Sequence, residues 1–165
     1  MVAELNRGAF VRRLSSEDVI DLYRVRQLVE GAALRSFTGT ADLEVLRQAV
    51  DEGRIAAKED RWPDVATANM HFHQAVVALA GSARLDEYMR QVSAELRLAF
   101  HVMQNPRTFH EPIWAVTARS WNGWRPEMRR PRPNFWSTIC RTPNIRSSPA
   151  TRRPTSHDRS EQRPG

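Results

Sequence analysis

Chemistry in this sequence is concentrated in a few side chains. Asn69, His71 and His73 lie close together in the stretch ATANMHFHQAVVALAG, with His101 and His110 further along. Asn69 and His73 are four residues apart, so on a helix both project from one face and can meet one ion or one ligand. Histidine with an oxygen donor can bind a first-row metal, but such a site takes three or four protein ligands and prefers carboxylate to amide oxygen. His71 falls about 160° around a helix from His73, at ~100° per residue, and cannot join it. Spacing alone therefore favours His73 as a hydrogen-bonded core histidine and His71 as a surface one. Arg26 and Glu30 form a second i,i+4 pair. It reads either as a surface ion pair worth tenths of a kcal/mol or as an arginine facing a ligand cavity, and periodicity alone favours the surface pair. No nucleophile–base pair, glycine-rich phosphate loop or paired-carboxylate cleft is present, so the chain is not expected to be an enzyme.

The elements that must position these residues are helices. Ser15 or Ser16 can cap the first, with Glu17 and Asp18 at the positive end of its dipole. Val19, Leu22, Tyr23, Arg26, Val29 and Ala33 then form one face. Thr40 can cap a second helix with Leu43, Leu46, Val50, Ile55 and Ala57 as its apolar positions. Arg61-Trp62-Pro63-Asp64 interrupts it, and Pro63 suits the first turn of a third helix that stops near Gly81. Ser82 can cap a fourth, with Leu85, Met89, Val92, Leu96, Ala99 and Phe100 on one face, ended by Asn105-Pro106. Four amphipathic helices on short links imply an all-α fold, an antiparallel helical bundle. A chain of 165 residues has room for one such core.

The two ends have a different character. In residues 1–14, Asn6-Arg7-Gly8 carries turn chemistry and Ala9-Phe10-Val11 suits a strand, which could not be stable alone. After about Ala115 neither period persists, and residues 116–165 hold seven of the ten prolines. Disorder is expected there. The overall charge of +6 divides into −2 over residues 1–115 and +8 over residues 116–165. Two accounts of this tail compete: a basic arm holding nucleic acid through phosphates and stacked aromatics, or the out-of-frame product of a GC-rich gene. The change falls inside the helix-like stretch after HEPIWA, which favours the second. One cysteine, no apolar run of ~18 residues and no signal-peptide core point to a cytoplasmic protein without a membrane span.

Three stretches resemble the FadR-type branch of the GntR-family transcription regulators, whose effector domain is the FCD domain. They are NRGAFVRRLSSEDVIDLYRVRQLVEGAALR (6–35), ANMHFHQAVVALAGSARL (68–85) and RTFHEPIW (107–114). The resemblance covers roughly residues 4–114. It implies that residues 6–11 close the wing of a winged helix and that a "Val-Arg-x-x-x-Glu" helix opens a helical effector-binding and dimerisation domain over residues 15–115. The chain then reads as a fragment of an effector-responsive, DNA-binding homodimer. Its implied partner is a small-molecule effector of carboxylate or acyl type, bound by Arg26, Asn69 and His73. DNA is a partner only where an intact winged helix-turn-helix is present. The family often sets a divalent metal beside its effector. His73 matches the first histidine of that metal set, but Asn69 stands where the family has aspartate, and the two later histidines fall beyond the resemblance. A stand-alone sensory or dimerisation module, and non-specific nucleic-acid binding through the basic tail, are the alternative functions.

Overall fold

The first helix begins where a local interaction satisfies its first N–H groups. In the computed structural model, which describes residues 14–38, 43–101 and 105–123, α1 (Ser16–Ser36) opens with a reciprocal cap. The Asp18 N–H donates to Ser15 Oγ at 3.1 Å, and the Ser15 N–H donates to Asp18 Oδ2 at 2.8 Å. Its buried face is Val19, Tyr23, Arg26, Glu30, Ala33 and Leu34.

Helix α2 (Glu44–Lys58) starts after Leu43 without a side-chain cap, and Thr40 lies outside the described residues. Its buried stripe is Leu46, Ala49, Val50, Gly53 and Ala56. Ile55, expected on that stripe, is 54% exposed, and Ala57 is only partly buried. At ~100° per residue Ile55 sits about 140° from Val50, off the face that the small residues set against the rest of the bundle.

The link to the third helix bends at Asp60, whose backbone is left-handed at φ 58°. Asp60 Oδ1 accepts the indole N–H of Trp62 at 2.6 Å. Helix α3 (Trp62–Ala78) follows with Pro63 in its first turn. Eleven of its 17 residues are buried, spread around the helix, so α3 is the central element and not a one-faced one. Gly81, at φ 63°, makes the reversal into α4 (Ala83–His101), and its N–H donates to the Ala78 carbonyl at 2.9 Å. Asn105 Oδ1 then accepts the Thr108 N–H at 3.2 Å and caps α5 (Pro106–Gly123).

Helix α5 corrects the sequence reading. Helical order runs eight residues past the expected boundary at 115, so five helices, not four, build the described bundle. Ile113, Trp114, Thr117 and Ser120 keep helical spacing and are buried, with Ala118 and Trp121 packed behind them. About two turns of further helix are retained because those side chains seal α2 and α3. The proposed wing strand in residues 1–14 and the tail from 124 onward lie outside the described residues.

Sequence neighbours reverse direction, but α5 returns alongside α3 and runs parallel to it. Arg107 stacks on Trp62, Thr117 bonds Asn69 and Trp121 meets Phe72, so contacts advance together along both helices. The apolar core forms two clusters. One joins Leu34, Leu46, Val50, Val65, Phe72, Val76 and Trp114; the other joins Val19, Tyr23, Val77, Met89, Val92 and Leu96. Tyr23 and Leu34 of α1 belong to different clusters. Arg26 and Glu30 lie between them, at the seam.

Candidate functional site

The charged pair on α1 is not on the surface. Arg26 is 1% and Glu30 0% exposed, with Arg26 Nε 3.2 Å from Glu30 Oε1. The surface reading of this pair is therefore overturned: both residues sit on the face shared with Val19, Tyr23 and Ala33, which packs on α3 and α4. The Arg26 guanidinium also stacks on the Tyr23 ring, 4.5 Å from its centroid. Burial raises the Tyr23 phenol above its usual pKa, and the neighbouring guanidinium opposes that shift.

His73 on α3 is fully buried and faces the same pair. Its Nδ1 lies 2.9 Å from Glu30 Oε2. Glu30 thus bridges Arg26, one turn earlier on its own helix, and His73 across the α1–α3 contact. Burial first, and Arg26's charge second, push the His73 imidazole towards its neutral form, against the opposing pull of Glu30. Two kinds of orphaned polar atom remain in this seam. His73 Nε2 and Arg26 Nη2 are both buried without a hydrogen-bond partner. Native interiors rarely leave such groups unmet.

Asn69, one turn before His73, is also buried. Its Oδ1 accepts the Thr117 hydroxyl from α5 at 2.8 Å. The structure therefore links Arg26 and His73 through Glu30, and ties Asn69 to α5 instead. His71 is about half exposed, 3.4 Å from Glu52 on α2. His101 is the last residue of α4. His110, left without a role by the sequence, is buried edge-on against Phe100 and Phe109, with centroids 4.7 and 5.0 Å away. Burial lowers its pKa to about 4. A surface groove of about 310 Å³ between α2 and α3 is lined by Glu52, Arg61, Asp64 and Thr67 among others, and none of Arg26, Asn69 or His73 borders it.

Three participants escaped the sequence reading as site residues: Glu30, Tyr23 and Thr117. Glu30 was within reach. It continues the 4-3-4-3 spacing Val19, Tyr23, Arg26, Glu30, Ala33, and charge at two successive positions of an apolar face is a mark of burial. Thr117 had no such signal, because its partner is 48 residues away.

A divalent metal, implied by the family resemblance, fits these residues poorly. His73 Nε2 is a free donor backed by a carboxylate, as metal-binding histidines are. Yet Asn69 offers only an amide oxygen already bonded to Thr117, and Arg26 brings a fixed positive charge onto the shared carboxylate. Among the described residues no group of three or more His, Cys, Asp or Glu side chains is placed to hold a metal ion.

The chain matches the family profile of the FCD domain over residues 21–131. It is also similar to a crystal structure described as that of a transcriptional regulator, GntR, from Rhodococcus sp. RHA1. Identity is 40% and the TM-score 0.65, over 73% of this chain and 58% of that one. This chain thus spans less than three fifths of that structure's length. No curated protein matches it. Among the described residues no helix is long and apolar enough to cross a membrane.

Proposed function

Given that the chain belongs to the FCD-domain family and is of the GntR type of transcription regulator, we propose that its helical bundle binds a small carboxylate or acyl effector at the α1–α3 seam. Arg26 receives the acidic group, and His73 and Asn69 line the same side of α3. The observation that carries this reading is that Arg26 Nη2 and His73 Nε2 are buried without a hydrogen-bond partner, on two side chains whose Nε and Nδ1 meet the one Glu30 carboxylate. A cationic donor held in a low-dielectric interior is costly unless something completes it, and an anion does so. Effector binding tightens α1 against α3. In a protein that also carries a winged helix-turn-helix, α1 is the element through which occupancy reaches the DNA-binding part. The functional unit is a cytoplasmic homodimer that responds to its effector and does no chemistry on it.

Thermal unfolding of the chain against a panel of small organic acids, with chloride at equal ionic strength as reference, tests this. A ligand at ~100 times its Kd adds about 2.7 kcal/mol of stability, so a true effector raises Tm by several degrees. Arg26→Lys, which keeps the charge but loses the planar fork, should abolish that rise. Arg24→Lys, at a position 70% exposed on the same helix, should leave it intact. If no acid raises Tm beyond the chloride control, the effector reading is wrong.

A further inference from the structure

We propose that the groove between α2 and α3 is a docking surface for residues 124–132 of the same chain, the segment WRPEMRRPR, which reaches it by crossing the outer face of α2 over Ile55. This surface is separate from the α1–α3 seam and does not depend on what binds there.

The groove offers apolar surface and unbalanced charge together. Ile55 is 54% exposed at its rim, and the small buried side chains of Ala56 and Ala68 line it. A single exposed isoleucine is ordinary on a flat surface, but this one borders a concavity of about 310 Å³. At one end Arg61 is held by both Glu59 and Asp64, so one guanidinium already answers two carboxylates. At the other end, among the described residues, Glu52 is paired with the His71 imidazole at 3.4 Å and with no guanidinium or ammonium group. Three carboxylates against one guanidinium leave a local charge of −2. A partner with arginines and an apolar side chain fits both features.

Position in the chain selects that partner. Arg54 donates to Asn122, so α5 ends at Gly123 beside α2. At ~100° per residue, Arg54 and Glu52 fall about 100° to either side of Gly53, which faces Trp114. Ile55 falls between them, on the side of α2 turned away from the bundle. Half the circumference of a helix is roughly 16–19 Å, and six residues of extended chain reach about 20 Å. Residues 124–129 are therefore long enough to pass from Asn122 over Ile55 to Glu52. Their chemistry matches as well. Residues 124–132 hold four arginines against Glu127, a charge of +3, with Trp124 and Met128 to cover Ile55. An exposed ion pair alone is weak. A short tether holds the segment at an effective concentration in the millimolar range, which turns a weak contact into a populated one. Six arginines lie beyond residue 132, outside this contact.

Limited trypsinolysis of the full chain tests the proposal. Three of the four arginines in residues 124–132 precede proline, so Arg129–Arg130 is the one bond there that trypsin cuts readily. Arg141–Thr142 is the reference bond in the same molecule. Relative to that reference, Arg129–Arg130 should be cut roughly fivefold or more slowly in the unaltered chain than in Glu52→Lys or Ile55→Ser, as a mostly docked tether implies. Trp124→Ser changes no residue of the five helices and should release the protection too, with the bundle intact. Glu87→Lys, an equal charge change at an exposed position on α4, should keep it. Retention of the protection in any of the three releasing variants overturns the proposal, as does equal relative cleavage in every chain. Protection that grows as the protein is concentrated also overturns it, by assigning the groove to the tail of a second copy.

Discussion

At the scale of single residues, the seam between α1 and α3 concentrates polar groups that have few partners to spare. One turn before His73 on α3, Asn69 Oδ1 accepts the Thr117 hydroxyl from α5. Thr117→Val keeps the shape and removes the donor, leaving a buried amide oxygen unmet. Chemical denaturation should show a loss of about 1–3 kcal/mol, and Thr117→Ser should recover most of it. His110 sets a pH dependence. Its folded pKa is about 4, below the ordinary histidine value of 6.5, because burial penalises the charged ring. The stability it contributes is thus complete above pH ~6.5 and is lost as pH falls towards 4, since the unfolded chain binds the proton first. The loss amounts to about 3 kcal/mol at most. His73 shifts in the same direction and adds to the slope. Unfolding free energies measured between pH 7 and pH 4 should fall steeply, and His110→Gln should flatten part of that fall.

At the scale of elements, the α2–α5 contact depends on one glycine. A Cβ at Gly53 would stand 2.2 Å from Trp114 Cη2, so the six-membered ring of the indole occupies the space a side chain would take there. Alanine would be favoured in an isolated helix by about 1 kcal/mol, but here it meets a rigid ring buried between two helices. Gly53→Ala should therefore be destabilising, by about 1–3 kcal/mol in a denaturant titration, as overpacked cores are. Trp114→Ala should cost more, about 3–5 kcal/mol. Combining the two should be less than additive, because the glycine matters only while the indole is there. An alanine at position 53 that stabilised the chain would show that α5 does not dock on α2 in this way. The helix caps, by contrast, are local. Ser15 and Asp18 satisfy each other within one turn and need nothing from the rest of the bundle.

For the whole molecule, charge divides at the end of α5. Residues 1–123 carry −1 (15 basic, 16 acidic) and residues 124–165 carry +7 (10 basic, 3 acidic). A slightly acidic bundle gives duplex DNA no electrostatic grip, whereas the ten arginines of residues 124–165 do so without regard to sequence. Retardation of unrelated duplexes by the full chain should be visible at low salt and gone by about 0.2 M. It should be absent from a chain ending at Gly123. Binding that survives salt, or that persists without residues 124–165, would place a DNA-reading surface on the helices themselves.

Much of the fold was legible in the sequence because it depends on short-range periodicity. The Ser15 cap, Pro63 in the first turn of α3, the stop at Gly81 and the apolar stripe of α4 each follow from residues within a turn or two of one another. The resemblance carried by residues 6–35 and 68–85 likewise pointed to the family that the comparisons support. Periodicity reports which residues share a face but not what covers that face. Ile55 looked apolar and therefore buried, yet it lies on the open side of α2. Arg26 and Glu30 looked charged and therefore exposed, yet packing against α3 and α4 removes both from water. The end of α5 was hidden for the same reason. Its last turns are held by Phe72 and the α2 surface, not by any signal of their own. The partnership of Glu30 with His73 was decided only in three dimensions, because the two residues lie 43 positions apart. Local rules choose helices; the distant contact of one helix with another decides which buried polar atoms are left for a ligand to complete.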